Sequence, residues 1–183
     1  MNLCMPCSVS DEKFASAAAL EALKSSMTQK HGCVAVSNGK IIARGYNSHY
    51  KMSRNSTLCS CHAEQDVLKK CIKNFKNIKK LKISIYVVRC DSTGNYTLSI
   101  PCKMCYDEMK KFRIKNIIYS NKNGELIKCP FNDFISDFTT SGMNALRDKR
   151  IIPLNIVKRN YSWHFVLYMI IEKIISSAIY FFV

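Results

Sequence analysis

Two short segments constrain this chain more than any others: Cys61-His62-Ala63-Glu64 and Pro101-Cys102-Lys103-Met104-Cys105. The first sets an imidazole and a carboxylate two residues apart, and the second sets two thiols three apart behind a proline. His62, Cys102 and Cys105 are the nitrogen and sulfur donors that zinc prefers. Three protein ligands are also the number of an open tetrahedral site that keeps one position for water. Any fold for this chain must bring residues 62 and 102–105 to one point.

The local spacing says how. Pro101 suits the first turn of a helix, where its missing N–H costs nothing. A helix over 101–112 puts Cys102 and Cys105 at i, i+3 on one face, continuous with Met109 and Phe112, and its positive N-terminus favours thiolates. A second helix opening at or just before His62 leaves Glu64 beside the metal without being a ligand, as a general base requires. Residues i and i+2 diverge around a regular helix, so the metal must sit beyond the open first turn. A purely structural zinc site is the competing reading. Cys61 would complete its four ligands, but Glu64 would then have no task.

At 183 residues the chain fits one domain with a real core and little else. Ten cysteines suggest a disulfide scaffold only in a short secreted chain. The N-terminus shows no basic region followed by an apolar run, so no signal peptide is expected. A reducing, cytoplasmic setting with free or metal-bound thiols follows. The formal charge of +15 points toward nucleic acid or another polyanion. Yet the excess is 21 Lys against 7 Arg, beside 20 Ile and 14 Asn. All three abundant types have A/T-rich codons, and base readout favours the scarce arginine.

Along the chain, Ser10 is read as the N-cap of a helix over 10–27, with Phe14, Ala17, Leu20, Leu23 and Met27 as its buried face. Residues 33–37 and 40–46 form a hairpin about a type I′ turn at Asn38-Gly39. Residues 47–60 are a loop of 14 residues entering the first metal segment, with His49, Lys51 and Arg54 as phosphate contacts or plain solvated charges. The helix after His62 buries Ala63, Val67, Cys71 and Phe75, widened by Leu68 and Ile72. Its outer face carries Lys69, Lys70, Lys73 and Lys76, continued by Lys79, Lys80 and Lys82, either a solvated face or a nucleic-acid groove. Residues 83–88 and 114–119 are buried strands, and the Asn121–Gly124 turn leads into a last strand over 125–129. The order α-β-β-α-β-α-β-β describes an α/β protein whose mixed sheet is packed with helices, and two helix N-termini meet at the site.

These residues resemble the cytidine/deoxycytidylate deaminase family, part of the zinc-dependent nucleobase deaminase superfamily that also includes RNA- and DNA-editing enzymes. H-x-E followed by P-C-x-x-C is its signature, and Gly45-Tyr46-Asn47 looks like its substrate-binding G-x-N. The match covers roughly residues 34–129. The resemblance implies a three-layer α-β-α cytidine deaminase-like fold with a mixed five-stranded sheet. It also implies hydrolysis of a cytosine nucleoside or nucleotide (cytidine, deoxycytidine or dCMP) to the uracil form with release of ammonia. Carried over, His62, Cys102 and Cys105 bind one catalytic Zn2+, Glu64 shuttles protons, Asn47 contacts the sugar and the Ala63 N–H holds the pyrimidine carbonyl. A His first ligand looks like the deoxycytidylate and editing branches, whereas a last strand antiparallel to its neighbour is more like the free-nucleoside branch. RNA or single-stranded DNA is the alternative substrate.

The implied organisation is a deaminase domain over 1–135 and a C-terminal extension over 136–183 with an apolar helical tail at 161–183. Residues 165–183 are long enough to span a bilayer. Glu172 and Lys173 within them cost about 2.5–3.5 kcal/mol each, so an interfacial or core-packed helix is preferred to a membrane anchor. Cys4, Cys7, Cys59 and Cys61 could hold a second, structural zinc, but unpaired terminal cysteines are preferred. A homo-oligomer is expected by analogy.

Overall fold

The structure is a computed structural model of the chain, and it describes residues 5–49 and 60–148. Residues 5–49 and 60–141 lie in one compact unit. Its elements are helix α1 (Val9–Ala22), strands β1 (Lys30–Ser37), β2 (Lys40–Tyr46), β3 (Ser48–His49) and β4 (Ser60–Cys61), helix α2 (Ala63–Asn74), strands β5 (Ile83–Cys90) and β6 (Tyr96–Thr97), helix α3 (Lys103–Met109), and strands β7 (Ile114–Ser120) and β8 (Leu126–Pro130). Short 3-10 turns fill Ile78–Lys80 and Phe131–Asp133, and a further helix, α4, spans Ser141–Arg147. The apolar tail expected at 161–183 lies outside the described residues. Among those described, no helix is long and apolar enough to cross a membrane.

The main sheet runs β2-β1-β5-β7-β8. It is antiparallel except for β5 and β7, which lie parallel and are joined through α3. To the five expected strands the structure adds β6, two residues paired with the end of β5. Asn38 and Gly39 have φ of 49° and 72°, the left-handed pair that a type I′ turn needs. Met5 forms an antiparallel bridge to Lys128.

Alternation along the strands sorts the core into two layers. Val34, Val36, Tyr86, Val88 and Ile118 face α1. Cys33, Ala35, Ile85, Val87 and Ile117 face α2 and α3. This is the expected three-layer sandwich.

The helices differ from expectation in detail. Helix α1 is capped by Ser8, not Ser10: Asp11 N–H donates to Ser8 Oγ at 3.3 Å and Ser8 N–H donates back to Asp11 Oδ2 at 2.9 Å. It stops at Ala22, not Met27, where Ser25 turns its hydroxyl to the Asn47 carbonyl at 2.7 Å. Its fully buried apolar residues are Ala15, Ala18 and Ala22, while Leu20 and Leu23 are exposed. The reason is close approach. A Cβ on Gly32 would lie 1.9 Å from the Ala18 carbonyl oxygen, so only alanines fit between helix and sheet. In α2, Leu68 widens the buried stripe but Ile72 is exposed, because the stripe follows Ala63, Val67 and Cys71.

Candidate metal centre

Helix α2 begins immediately after His62, which takes the N-cap position in extended backbone. The His62 N–H donates to the Gln65 side chain at 3.1 Å, which fixes the backbone that carries the imidazole. Two glycine-sized gaps govern the sheet, and the second is here. A Cβ on Gly45 would lie 2.8 Å from Asp66 Oδ2, 2.9 Å from Val67 Cγ2 and 3.0 Å from Val67 N. The first turn of α2 thus rests directly on β2. Asp66 also accepts from Tyr46 N at 3.3 Å and from Lys70 Nζ at 2.7 Å.

Helix α3 is shorter than the expected 101–112. Cys102, not Pro101, is its N-cap, with extended φ and ψ of −74° and 164°. Pro101 lies outside the helix and fully buried. Cys102 and Cys105 therefore occupy the N-cap and N3 positions, on either side of the open first turn. A segment with no recognisable sequence pattern holds this turn in place. The Ser136 hydroxyl donates to the Pro101 carbonyl at 2.6 Å, and Lys103 N–H donates to the Phe138 carbonyl at 2.8 Å. The chain stays in this unit as far as Ser141, beyond the boundary expected after residue 135.

The two helix starts bring His62, Cys102 and Cys105 together, with all three ligand atoms within 4.8 Å of one another. His62 Nδ1 lies 3.2 Å from Cys105 Sγ and 3.4 Å from Cys102 Sγ. Zinc bonds of about 2.3 Å to sulfur and 2.0–2.1 Å to nitrogen would place tetrahedral N and S donors about 3.5 Å apart. The donor set fits the ion in both kind and spacing. Among the described residues it is the one such group, and Cys61 stands outside it. The Cys61 thiol instead faces the His62 carbonyl at 3.6 Å and Lys69 Nζ at 3.7 Å. Of the second cysteine set, Cys4 and Cys59 lie outside the described residues, and Cys7 sits at β8 against the Leu126 carbonyl.

One thiol of the cluster ionises readily, as a metal ligand must. A hydrogen bond from Cys105 holds the Cys102 thiol down at about 4, and the same shared proton pushes Cys105 up. Burial works against a charged His62, but its hydrogen bond to Cys102 and the charges of Glu64 and Cys102 together raise it. Glu64 is 5 % exposed. Burial raises its carboxyl, His62 partly offsetting this, and its side chain hydrogen-bonds the Cys105 thiol. Glu64 thus adjoins the triad without joining the ligand group.

Asn47 is buried, but its side chain is already engaged. Its Oδ1 accepts from His31 N at 2.8 Å and its Nδ2 donates to the Gln29 carbonyl at 2.6 Å. His31, which no motif marks, lies close enough to feel both His62 and Cys102, and burial depresses it to about 4. Gln65 did carry a signal, as the third residue after an N-cap. His49 is exposed in a two-strand ladder of β3 with β4, while Lys51 and Arg54 lie outside the described residues. Of the lysine face, Lys70 is tied to Asp66 and the Arg44 carbonyl, whereas Lys73, Lys76, Lys79, Lys80 and Lys82 are exposed.

Comparison with known proteins agrees with this architecture. The tRNA-specific adenosine deaminase of Buchnera aphidicola subsp. Schizaphis graminum is 32% identical over 124 residues, 68% of this chain and 72% of that protein. The crystal structure of cytidine deaminase from Burkholderia pseudomallei superposes with a TM-score of 0.53 at 19% identity, covering 70% of this chain and 98% of the other. That of dCMP deaminase from the cyanophage S-TIM5 in apo form gives 0.48 at 21% identity, covering 75% and 90%. The sequence model of the cytidine and deoxycytidylate deaminase zinc-binding region matches residues 8–121. That span runs from the cap of α1 to the end of β7 and includes every residue of the His-Cys-Cys cluster, and by it the chain belongs to the cytidine and deoxycytidylate deaminase family.

Proposed function

We propose that this deaminase acts on a cytosine nucleoside or nucleotide, converting cytidine, deoxycytidine or dCMP to the uracil form and releasing ammonia. One observation carries the choice: β8 runs antiparallel to β7, the arrangement that the family resemblance associates with free-nucleoside enzymes. His62, Cys102 and Cys105 would hold a single Zn2+. Bound there, the ion would act as a Lewis acid and lower the pKa of water toward neutrality.

The chain's own residues supply the rest. Glu64, buried and raised in pKa, accepts a proton from the attacking water and passes it to the ring nitrogen beside the attacked carbon. It then takes the proton of the newly attached hydroxyl and delivers it to the departing amine, so the C–N bond breaks, the carbon becomes a carbonyl and ammonia leaves. The Ala63 N–H, at the first position of α2, is among the donors with no partner inside the helix, and it receives the pyrimidine carbonyl. Asn47, committed to the backbone of residues 29–31, offers the sugar the second lone pair of Oδ1 and holds His31 beside the site. The described cysteines are free thiols, in keeping with a reducing, cytoplasmic setting. The homo-oligomer rests on the resemblance, and sedimentation of the zinc-loaded chain tests it.

The test is ammonia release from the zinc-loaded protein with cytidine, deoxycytidine, CMP, dCMP, adenosine and a short single-stranded oligonucleotide, with Glu64→Gln as the blank. The variant should keep its zinc and lose turnover; retained activity would sink the mechanism. A second reading, deamination of RNA or single-stranded DNA, is favoured by the likeness to a tRNA-specific adenosine deaminase and by the exposed lysines of α2 and the turn after it. It requires turnover of the oligonucleotide and binding that weakens steeply with salt.

A further inference from the structure

Many of the exposed lysines share one place in the fold. Strands β5 and β7 start side by side, Ile83 opposite Ile114, and the β1–β2 turn closes at the same end, where Val36 faces Ser84 and Ser37 faces Lys40. The connection from α2 into β5 brings Lys73, Lys76, Lys79, Lys80 and Lys82 toward this end, all exposed. The start of β7 adds Arg113 and Lys115, and the hairpin turn adds Lys40. Among the described residues none of these cations belongs to an ion pair. Between Asp66 and Asp91 the chain has no Asp or Glu. Asp107 and Glu108, near the end of α3, are matched by Lys110 and Lys111. A/T-rich codons would raise lysine along the whole chain and would not gather unpaired cations at one end of a sheet.

A nucleoside held at the metal cluster does not reach these charges. His62 caps the start of α2, whose first turn rests on Gly45 near the other end of β2. The 12 residues of α2 then carry the chain about 18 Å away before the lysine-rich connection begins.

The make-up of this end selects a partner. Bidentate contacts to nucleic-acid phosphates and bases favour arginine, and Arg113 is alone among lysines here. Lysine point charges suit the diffuse negative surface of anionic lipid headgroups, for which a cluster of four to eight is the usual size. Ile72, 54 % exposed on α2, stands beside Lys73 and one turn from Lys69, an apolar group that a bilayer interface rewards and a phosphodiester backbone does not. Stable attachment takes two signals, and the sequence holds a second in residues 165–183, read above as apolar enough for an interfacial helix. We propose that the end of the sheet remote from the metal cluster docks the protein on an anionic bilayer surface. This docking is independent of which base the enzyme deaminates.

The experiment is co-sedimentation of the zinc-loaded full chain with vesicles of phosphatidylcholine alone and of phosphatidylcholine mixed with phosphatidylserine. Binding should require phosphatidylserine and fall steeply as salt is raised. Each lysine near such a surface contributes about fivefold, so Lys79→Gln/Lys80→Gln should weaken binding about twenty- to thirtyfold, with zinc content and melting temperature unchanged. Lys13→Gln/Lys122→Gln removes the same charge from α1 and the β7–β8 turn, and should change binding by no more than about threefold. Equal binding to both vesicles, or none to either, overturns the proposal on the wild type alone, so a misfolded variant does not shield it. Equal losses in the two double variants overturn it as well, since net charge and not this end would then be responsible. A single-stranded oligonucleotide that binds through Lys79 and Lys80 while the vesicles do not would make this end a nucleic-acid surface and refute the bilayer.

Discussion

Gly45→Ala should injure catalysis more than stability. The new Cβ would meet Asp66 Oδ2 at 2.8 Å, Val67 Cγ2 at 2.9 Å and Val67 N at 3.0 Å. Val67 is fully buried and β-branched, so its side chain has essentially one rotamer in a helix and cannot swing away. The backbone nitrogen is therefore what must move, and restoring ordinary contact lifts the first turn of α2 by roughly 0.5 Å. Overpacking of this kind costs about 1–3 kcal/mol. The loss of glycine freedom in the unfolded chain returns about 0.4–1 kcal/mol. A net destabilisation of about 1–2 kcal/mol is expected from urea melts. The same shift reaches His62 and Glu64, which sit at the N-cap and second position of that helix. Catalytic groups tolerate displacements of only about 0.5 Å, so kcat/KM should fall tenfold or more, with weaker zinc retention. A variant with kcat/KM within twofold of wild type and an unchanged urea midpoint would refute the claim that β2 sets the position of α2.

Gly32→Ala should be more damaging to the fold, since its Cβ would meet two backbone atoms of α1, at 1.9 Å and 2.4 Å. A loss of about 3 kcal/mol or more is expected in the same melts. Ser99→Ala should cost about 1–3 kcal/mol, because the Ser99 hydroxyl donates to the Val87 carbonyl and accepts the Ser120 N–H, each at 2.8 Å and buried. Asp11 gives a pH signature. Burial alone would raise its carboxyl, but hydrogen bonds from the Ser8 backbone, Lys128, Tyr86 and the Ser8 hydroxyl hold it at about 2. A depressed folded value contributes stability above the unfolded value near 4, about 2 kcal/mol, which is lost as pH falls through 2. The stability gap between wild type and Asp11→Asn, measured by denaturant melts, should be full at pH 7 and close between pH 4 and 2. Cys102→Ser or Cys105→Ser should release zinc, read as metal-to-protein ratio, and lower the melting temperature of the metal-loaded protein toward that of chelator-treated wild type.

The sequence was most legible where chemistry forces residue type. Zinc accepts few residue types as ligands, His and Cys foremost, so residues 62, 102 and 105 stand out, and the structure brings them together. The Asn-Gly turn and the β-branched runs were equally plain, because φ > 0 and buried pleats each admit few residue types. Periodicity marks large apolar residues, and this misplaces the buried face of helix α1. The close contact at Gly32 rewards small ones, so Leu20 and Leu23 are left exposed. The expected helix α3 starts too early, since a proline is compatible both with a first turn and with the extended residue before it. The segment carrying Phe134, Ser136 and Phe138 had no pattern to detect. It acts through a hydroxyl and a carbonyl directed at the start of α3, and backbone carbonyls leave no mark in sequence.

The bridge from Met5 to Lys128 bears on how the protein behaves at high concentration. Strand β8 is outermost in the sheet, and the side away from β7 would otherwise present a bare row of N–H and C=O groups. Such an edge is a template for a second chain and a starting point for aggregation. Met5 N–H donates to the Lys128 carbonyl at 2.9 Å, so Met5 covers part of that edge. Trimming the residues before Ser8, or burdening them with a fusion partner, would uncover the edge while leaving the metal cluster intact. Its consequence would be seen in turbidity and light scattering before it was seen in turnover.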